Sequence, residues 1–561
     1  MTTTPRLRVR RSLDELQDEY TAGNTKPLED LMRAWKAIKE LPADDPRSFF
    51  TLGGYHGEPF RGAGWGSSAY WGGYCNHGNV LFPTWHRVYL VKLEEALQSV
   101  PGCEDVMLPF WDECSPNSLA NGIPWALTQK EFVLDGETIP NPLRSFVFTK
   151  NIKDNISGDN PDYSKPKGYE TVRYPLSGLV GTAADREATA KHNAQFPDYD
   201  TNVQILNGNI VNWLTTTVMV NGKPIGGGKV ADKYRTCLNA PNYTVFSNTT
   251  SAGQWNDDRS GEGTPAVVPL ESPHNSIHLS VGGFDVPGVF DASPIDGANG
   301  DMGENDTAGL DPIFFFHHCF VDRVFWLWQK RNGYTDHLEI IEEYPGTNSV
   351  DSQGPTPGVV PNSWLTLESP LNPFKKREAD GRERPYTSLD CINIEKQLGF
   401  TYGPGSLEAE ASPARAAAAM AAPGKVVSVT GINRAPIRGS FLVSVFGNVG
   451  GERVHLGTEA VLSRWNVQYC ANCQTHLEVK TFLDVAASSE PLRAAAAKNA
   501  ALASDSALLD ATTYEVEIHT RDGVLGDVPS EASPSAGALR AAAPAAAPVA
   551  APRRLFRIEV R

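Results

Sequence analysis

The sequence predicts a mainly α-helical domain followed by a small β-sandwich, and three observations carry that reading. Apolar residues recur at helical spacing up to about residue 400, an Ala/Pro tract interrupts the chain at 405–424, and beyond it the apolar period falls to two. The division places a core over 1–404, a linker over 405–424 and the sandwich over 425–561.

In the core, Pro27 stands at a helix N1 position and Leu28, Leu31, Met32, Trp35, Ile38 and Leu41 follow at helical spacing. A second helix is expected from Thr84 to Leu97, with Thr84 as its cap and Leu90, Leu93 and Leu97 on one stripe. A third opens on Asp311-Pro312 and continues through Phe314, His318, Phe325 and Trp328. Long Gly-, Asn- and Asp-rich loops join them, and loops on a rigid scaffold are where function concentrates. After the linker, Val427 and Val429, Leu442 to Val445, Leu477 to Val485, Tyr514 to Ile518 and Leu555 to Val560 read as strands, the last set apart by an Ala/Pro tract at 537–552.

Composition excludes several classes. Against 66 acidic residues stand 50 Lys and Arg, so the net charge of −16 disfavours a phosphate backbone as partner. No stretch reaches the roughly 18 apolar residues of a membrane span. The start, Met1 to Arg11, is charged with no apolar h-region, which points to a cytoplasmic protein. Eight cysteines in 561 residues are too few for a disulfide scaffold, and only Cys470 and Cys473 form a close C-x-x-C pair.

Six of the 12 histidines fall into two groups of three, His56, His77 and His86, then His274, His278 and His318. His274 and His278 are four apart, so on a helix both side chains share a face and can converge on one ion. Asp322, one turn after His318, is placed to orient a ring. No Glu follows His274, so the zinc-protease pattern fails, and paired Glu-x-x-His motifs of a di-iron bundle are missing. An all-imidazole donor set suits copper best, with nickel and zinc left open by ligand type.

The segments Gly73-Tyr74-Cys75-Asn76-His77-Gly78 and Leu81-Phe82-Pro83-Thr84-Trp85-His86-Arg87, with Asp311-Pro312-Ile313-Phe314-Phe315-Phe316-His317-His318 and Val321-Asp322-Arg323, resemble the two copper signatures of tyrosinases. This type 3 copper family includes catechol oxidases and haemocyanins. The resemblance spans about 45–400 and implies a four-helix-bundle core with two copper ions. One copper would sit on His56, His77 and His86, the other on His274, His278 and His318, with His317 behind them. It further implies a thioether from Cys75 to the His77 ring, and a water held by Glu271 and Asn275 that takes the proton of a phenol. That proton needs a base, because a phenol's pKa of about 10 resists ionisation at neutral pH. Asn275 as a local cap is the alternative, and Leu279 is expected at the pocket mouth.

The implied chemistry is O2-dependent conversion of monophenols and o-diphenols to o-quinones. In fungal-type relatives a C-terminal sandwich covers the site, which makes the chain latent. By that analogy Cys470 and Cys473 would load Cu(I), as soft thiolates can, with a structural pair or a redox dithiol as alternatives. Trp465, Tyr469 and Phe446 are the candidates for an aromatic plug, and Phe400-Thr401-Tyr402-Gly403 resembles the motif that ends the core. The competing functions are a catechol oxidase confined to diphenols and an oxygen carrier of the haemocyanin kind. Homo-oligomerisation is left open.

Overall fold

The computed structural model describes residues 7–57, 73–152, 164–215, 229–259, 266–284, 297–348, 363–412, 424–465, 477–486, 490–497, 500–525 and 556–560, with short described stretches between some of these. Four helices build the core around the histidines: α1 (Lys26–Glu40), α2 (Phe82–Gln98), α3 (Glu271–Gly282) and α4 (Ile313–Asn332). Helix α1 packs on α2, α2 on α4, and α4 on α3. The α1 stripe is fully used: Leu28, Leu31, Met32, Trp35 and Ile38 are buried, and Trp35 stacks on Phe316 of α4 at 5.7 Å. Helices α3 and the first five turns of α4 are buried all round, which explains their weak amphipathicity and marks them as the centre of the domain.

Helix starts differ in detail from the sequence reading. Pro83 takes an early position of α2, so the helix begins at Phe82 and Thr84 lies inside its first turn, its hydroxyl on Leu81 O and Ser388 Oγ. Helix α4 begins at Ile313, and the Asp311 carboxylate accepts from the Ile313 N–H at 3.1 Å while pairing with Arg173 at 2.7 Å.

Strand β1 (Arg8–Arg10) runs parallel to β2 (Phe400–Tyr402) and ties the two ends of the core together. Arg10 is buried, bonded to Glu94 through two nitrogens at 3.1 Å and to Tyr402 Oη at 3.0 Å. Asp322 joins the same knot: it accepts from Arg87 at 2.6 Å, from Tyr402 at 2.6 Å and from Arg10 at 3.4 Å. The expectation that Asp322 orients a histidine is therefore corrected. Two arginines compete for it, and charge-assisted hydrogen bonds outbid a neutral ring.

The sandwich comprises β3 (Gly424–Asn433), β4 (Phe441–Val449), β5 (Glu452–Val461), β6 (Glu478–Ala486), β7 (Thr513–Thr520), β8 (Gly523–Leu525) and β9 (Arg557–Val560). One antiparallel sheet has the order β6-β3-β9 and the other β5-β4-β7-β8. Val427, Val429 and Val485 from the first sheet share a core with Phe441, Val443, Val516 and Ile518 from the second. The register of β3 against β6 shifts between Val429 and Ile432, where Gly431 takes φ +78°, a bulge that only glycine adopts cheaply. The chain from Ser406 to Ala411 is not free linker. Arg323 donates to Ser406 O at 2.7 Å, Asp112 accepts from the Ser406 N–H at 2.7 Å, and Leu407 and Ala411 are buried in the core. Residues 413–423 and the 537–552 tract lie outside the described residues.

Candidate metal centre

Both histidine groups meet at the centre of the core. His274 and His278 project from one face of α3, and their Nε2 atoms lie 3.2 and 3.4 Å from Nε2 of His318 on α4. His318 is fixed from behind by Phe314, whose ring stacks on it at 4.0 Å one turn earlier in the helix. His86 comes from the first turns of α2, while His56 follows the short helix Phe49–Gly54 and His77 lies in the loop before α2. The ring centroids of His56, His77 and His86 are 5.1 to 5.7 Å apart. The two groups abut, with His86 and His318 stacked at 4.4 Å and His77 and His274 tilted at 5.2 Å.

Four of the rings are aimed by their Nδ1 atoms. His86 Nδ1 bonds Phe82 O at 2.8 Å, His56 Nδ1 bonds Asn305 O at 3.1 Å, His278 Nδ1 bonds Met302 O at 2.9 Å, and His274 Nδ1 bonds Asn275 Oδ1 at 2.9 Å. With Nδ1 as the donor, Nε2 keeps its lone pair and points inward. Burial drives all six rings far toward the neutral form, His86 to about 3, and the neighbouring imidazoles add to the effect at His56, His77, His86, His274 and His318. The buried Nε2 atoms of His56 and His86 have no hydrogen-bond partner among the described residues. Buried nitrogens without partners are rare, and neutral imidazoles converging on two points are what a pair of soft-to-borderline divalent ions requires. The donor set fits two copper ions.

His317 stands beside the second group. Its ligand atom is within 4.8 Å of those of His274, His278 and His318, yet its Nδ1 is 2.6 Å from Oε1 of Glu113, both fully buried. Glu113 went unnoticed in the sequence because it is 204 residues from His317 and belongs to no motif.

A cavity of about 310 Å³ opens beside this centre and is lined by His77, Gly78, Glu271 and Asn275 on the core side. Glu271 is buried and pinned: Oε1 accepts from the Gly78 N–H at 2.8 Å, and Oε2 from the Thr249 N–H and hydroxyl at 2.9 and 3.0 Å. Burial raises its pKa against the pull of those donors. Asn275 is no helix cap, since it lies mid-helix and its carbonyl sets the His274 tautomer. Leu279 is buried in the core cluster and does not line the cavity: it shares a face of α3 with Glu271 and Asn275 but lies one turn beyond Asn275, away from the cavity end of the helix.

The sandwich roofs the cavity with Arg434, Glu459 to Leu462 and Leu477 to Phe482. Neither Phe446 nor Trp465 lines it. Phe446 is packed under Arg453 at 3.6 Å and against His455, and Trp465 sits between the guanidiniums of Arg438 and Arg521 at 4.3 and 4.6 Å. Those cations hold each ring by its face, away from the pocket. Tyr469 and Cys470 lie outside the described residues, and Cys473 is buried against Val467 and disulfide-bonded. Arg434, which sequence reasoning passed over, is the cation near Glu271. Burial lowers its pKa to about 10, the Glu271 charge opposes that, and it stays charged at neutral pH.

Two abutting histidine groups in a helical core define a dinuclear copper protein, and comparison with known proteins specifies the family. The family profile for the common central domain of tyrosinase matches residues 46–331. A tyrosinase from a Hahella species is 57% identical over 84% of this chain and 87% of its own length, and one from Aspergillus oryzae is 45% identical over 82% and 86%. A solved tyrosinase from Burkholderia thailandensis at low pH superposes with a TM-score of 0.75 at 51% identity, covering 92% of this chain and 96% of that one. A pro-tyrosinase variant from Aspergillus oryzae, at 19% identity and TM-score 0.61, shares the fold over 92% of this chain and 91% of its own. The chain belongs to the tyrosinase family and is a copper-dependent oxidoreductase.

Proposed function

We propose that this protein hydroxylates monophenols and oxidises o-diphenols to o-quinones, and that its C-terminal sandwich keeps it latent. His56, His77 and His86 would hold one copper, and His274, His278 and His318 the other. The observation that carries the reading is the cavity itself, which is lined by His77 of the first group and by Glu271 and Asn275 of the second group's helix and is covered from the sandwich by Arg434 and Leu462.

The bound copper pair supplies the activation of dioxygen. The chain supplies the rest. Its Nδ1 hydrogen bonds aim four of the six neutral rings, those of His56, His86, His274 and His278, before any substrate arrives, so little reorganisation remains for the reaction. Glu271 holds a carboxylate at the cavity wall where a phenolic proton must go, directly or through one water. Its three donors keep it from swinging toward the histidines. The apolar part of the roof, Ala460 to Leu462, keeps the wall dry. The Cys75 sulfur stands two residues before His77 in sequence and accepts from Asn305 Nδ2 at 3.4 Å, and a thioether from it to the His77 ring would further lock that ring.

Oxygen uptake with quinone absorbance tests the activity, using the copper-loaded chain with a monophenol and then with an o-diphenol. Quinone from both supports the proposal. Quinone from the diphenol alone assigns a catechol oxidase, and copper retained without turnover of either, both in the intact chain and after cleavage between Ser412 and Gly424, assigns an oxygen carrier.

A further inference from the structure

The loop from Asp301 to Thr307, between α3 and α4, is short, acidic and almost completely buried, with Asp301, Glu304, Asn305 and Asp306 at most 4% exposed. Two of its backbone carbonyls serve the histidines, Met302 O holding His278 and Asn305 O holding His56. One loop thus aims a ring in each group. It lies tight against its surroundings: a Cβ on Gly303 would collide with Gly283 O, and one on Gly57, next to His56, with Asp306 O.

The core anchors one end of this loop. Asp301 accepts from Tyr169 Oη at 2.7 Å and the Val172 N–H at 2.8 Å, and pairs with Lys165 at 3.2 Å. The other end is anchored by the sandwich. Arg464 donates to Asp306 Oδ1 at 2.6 Å, the Trp465 N–H donates to Asp306 Oδ2 at 3.2 Å, and Arg521 pairs with Glu304 while donating to Asn299 at 2.8 Å. Ser440 Oγ donates to Gly303 O at 3.0 Å, and Arg464 also reaches His56 O at 3.3 Å and Cys75 Sγ at 3.6 Å. Buried ion pairs add little net stability over well-packed apolar residues, so burying two of them against one loop is better explained by the geometry they impose.

We propose that Arg464 and Arg521 of the sandwich are positioning residues for the metal centre: by gripping the Asp301–Thr307 loop they set the carbonyls that aim His56 and His278. The sandwich therefore governs how tightly copper is held, besides covering the cavity. This rests on His56 and His278 being copper ligands. A partner one bond removed from a ligand is commonly worth ten- to a hundredfold in metal affinity, and Arg464 acts at that distance or one step further.

The test is copper retention by the full-length chain, titrated with a chromogenic copper chelator and read as copper per chain, with copper alone as the probe. Arg464→Ala is expected to release copper at about ten- to a hundredfold lower chelator activity than the parent. Arg464→Lys should recover part of that loss. In a His56→Ala background, where the nearer of the two rings aimed by the loop is gone, Arg464→Ala should shift retention of the remaining copper less, through His278 alone. Lys233→Ala serves as the control. It removes another contact of core and sandwich, Lys233 to Glu459 at 2.8 Å, that does not touch the loop, and should leave retention unmoved. If Arg464→Ala does not fold, Ser440→Ala, which removes the bond to Gly303 O together with the hydroxyl's bonds to Ser463 within the sandwich, should give a smaller shift in the same direction. Retention equal to the parent in both the Arg464 and Ser440 variants overturns the proposal, as does an equal loss in Lys233→Ala. A parent chain that takes up no copper overturns the ligand reading and this proposal together, whereas a parent with two coppers and unmoved variants overturns this proposal alone.

Discussion

The second histidine group stands on two buried helices, whereas the first is assembled from a helix, a loop and the second residue past the end of a short helix. His274, His278 and His318 are spaced by α3 and α4 themselves, and α4 is fixed further by Phe314 and the Asp322 knot. His56 and His77 have no such helical register, and His56 is held in place by Asn305 O and Arg464. A metal site can be made rigid through secondary structure or through tertiary contacts that arrive from far along the chain. The first route leaves a spacing in the sequence, and the second leaves almost none.

This contrast can be broken at several points. The largest effect is expected from His278→Ala, which should leave one copper per chain and abolish turnover, as checked by metal analysis and oxygen uptake. Retention of two coppers would remove α3 from the site. Next, Glu271→Gln should slow monophenols by about a hundredfold and diphenols much less, since a positioned base contributes on that scale to proton transfer. Equal slowing of both would take Glu271 out of that role. Asn275→Ala frees the His274 tautomer and should weaken copper binding by about tenfold in a chelator titration.

The metal-free chain should also lose stability in acid. His86 has a pKa of about 3 when folded and about 6.5 when unfolded, so the unfolded chain binds more protons between those values. Urea midpoints should therefore fall as pH drops from about 6.5 toward 3, and copper should suppress the fall. The smallest effect belongs to Lys480→Ala, which removes a part-exposed pair with Asp257 at the rim of the sandwich and should cost under about 1 kcal/mol in denaturant unfolding.

Much of this organisation was legible in the sequence. The α1 stripe, the two helices around His86 and His318, the His274/His278 pair and most sandwich strands follow from periodicity and capping residues. Strand β5 escaped notice because Glu452-Arg453-Val454-His455 alternates weakly, its outward residues being charged and its inward ones shared with the core interface. Glu113, Arg434 and Arg464 escaped because each acts on a residue at least 158 positions away, with no local pattern around it. Two of the three plug candidates, Phe446 and Trp465, stand apart from the cavity, and Tyr469 lies outside the described residues. Trp465 and Phe446 are aromatic and buried, as expected, but neighbouring arginines claim their faces, and no periodicity reports a cation–π partner.

The central claim is that the sandwich closes a cavity leading to a working dinuclear copper site. The most direct test is the rate of oxygen uptake with a monophenol by the copper-loaded chain, before and after proteolytic cleavage between Ser412 and Gly424. A low rate in the intact chain that rises severalfold, with quinone formation, once the sandwich is cut loose is the expected result. Full activity in the intact chain, unchanged by cleavage, would contradict the account.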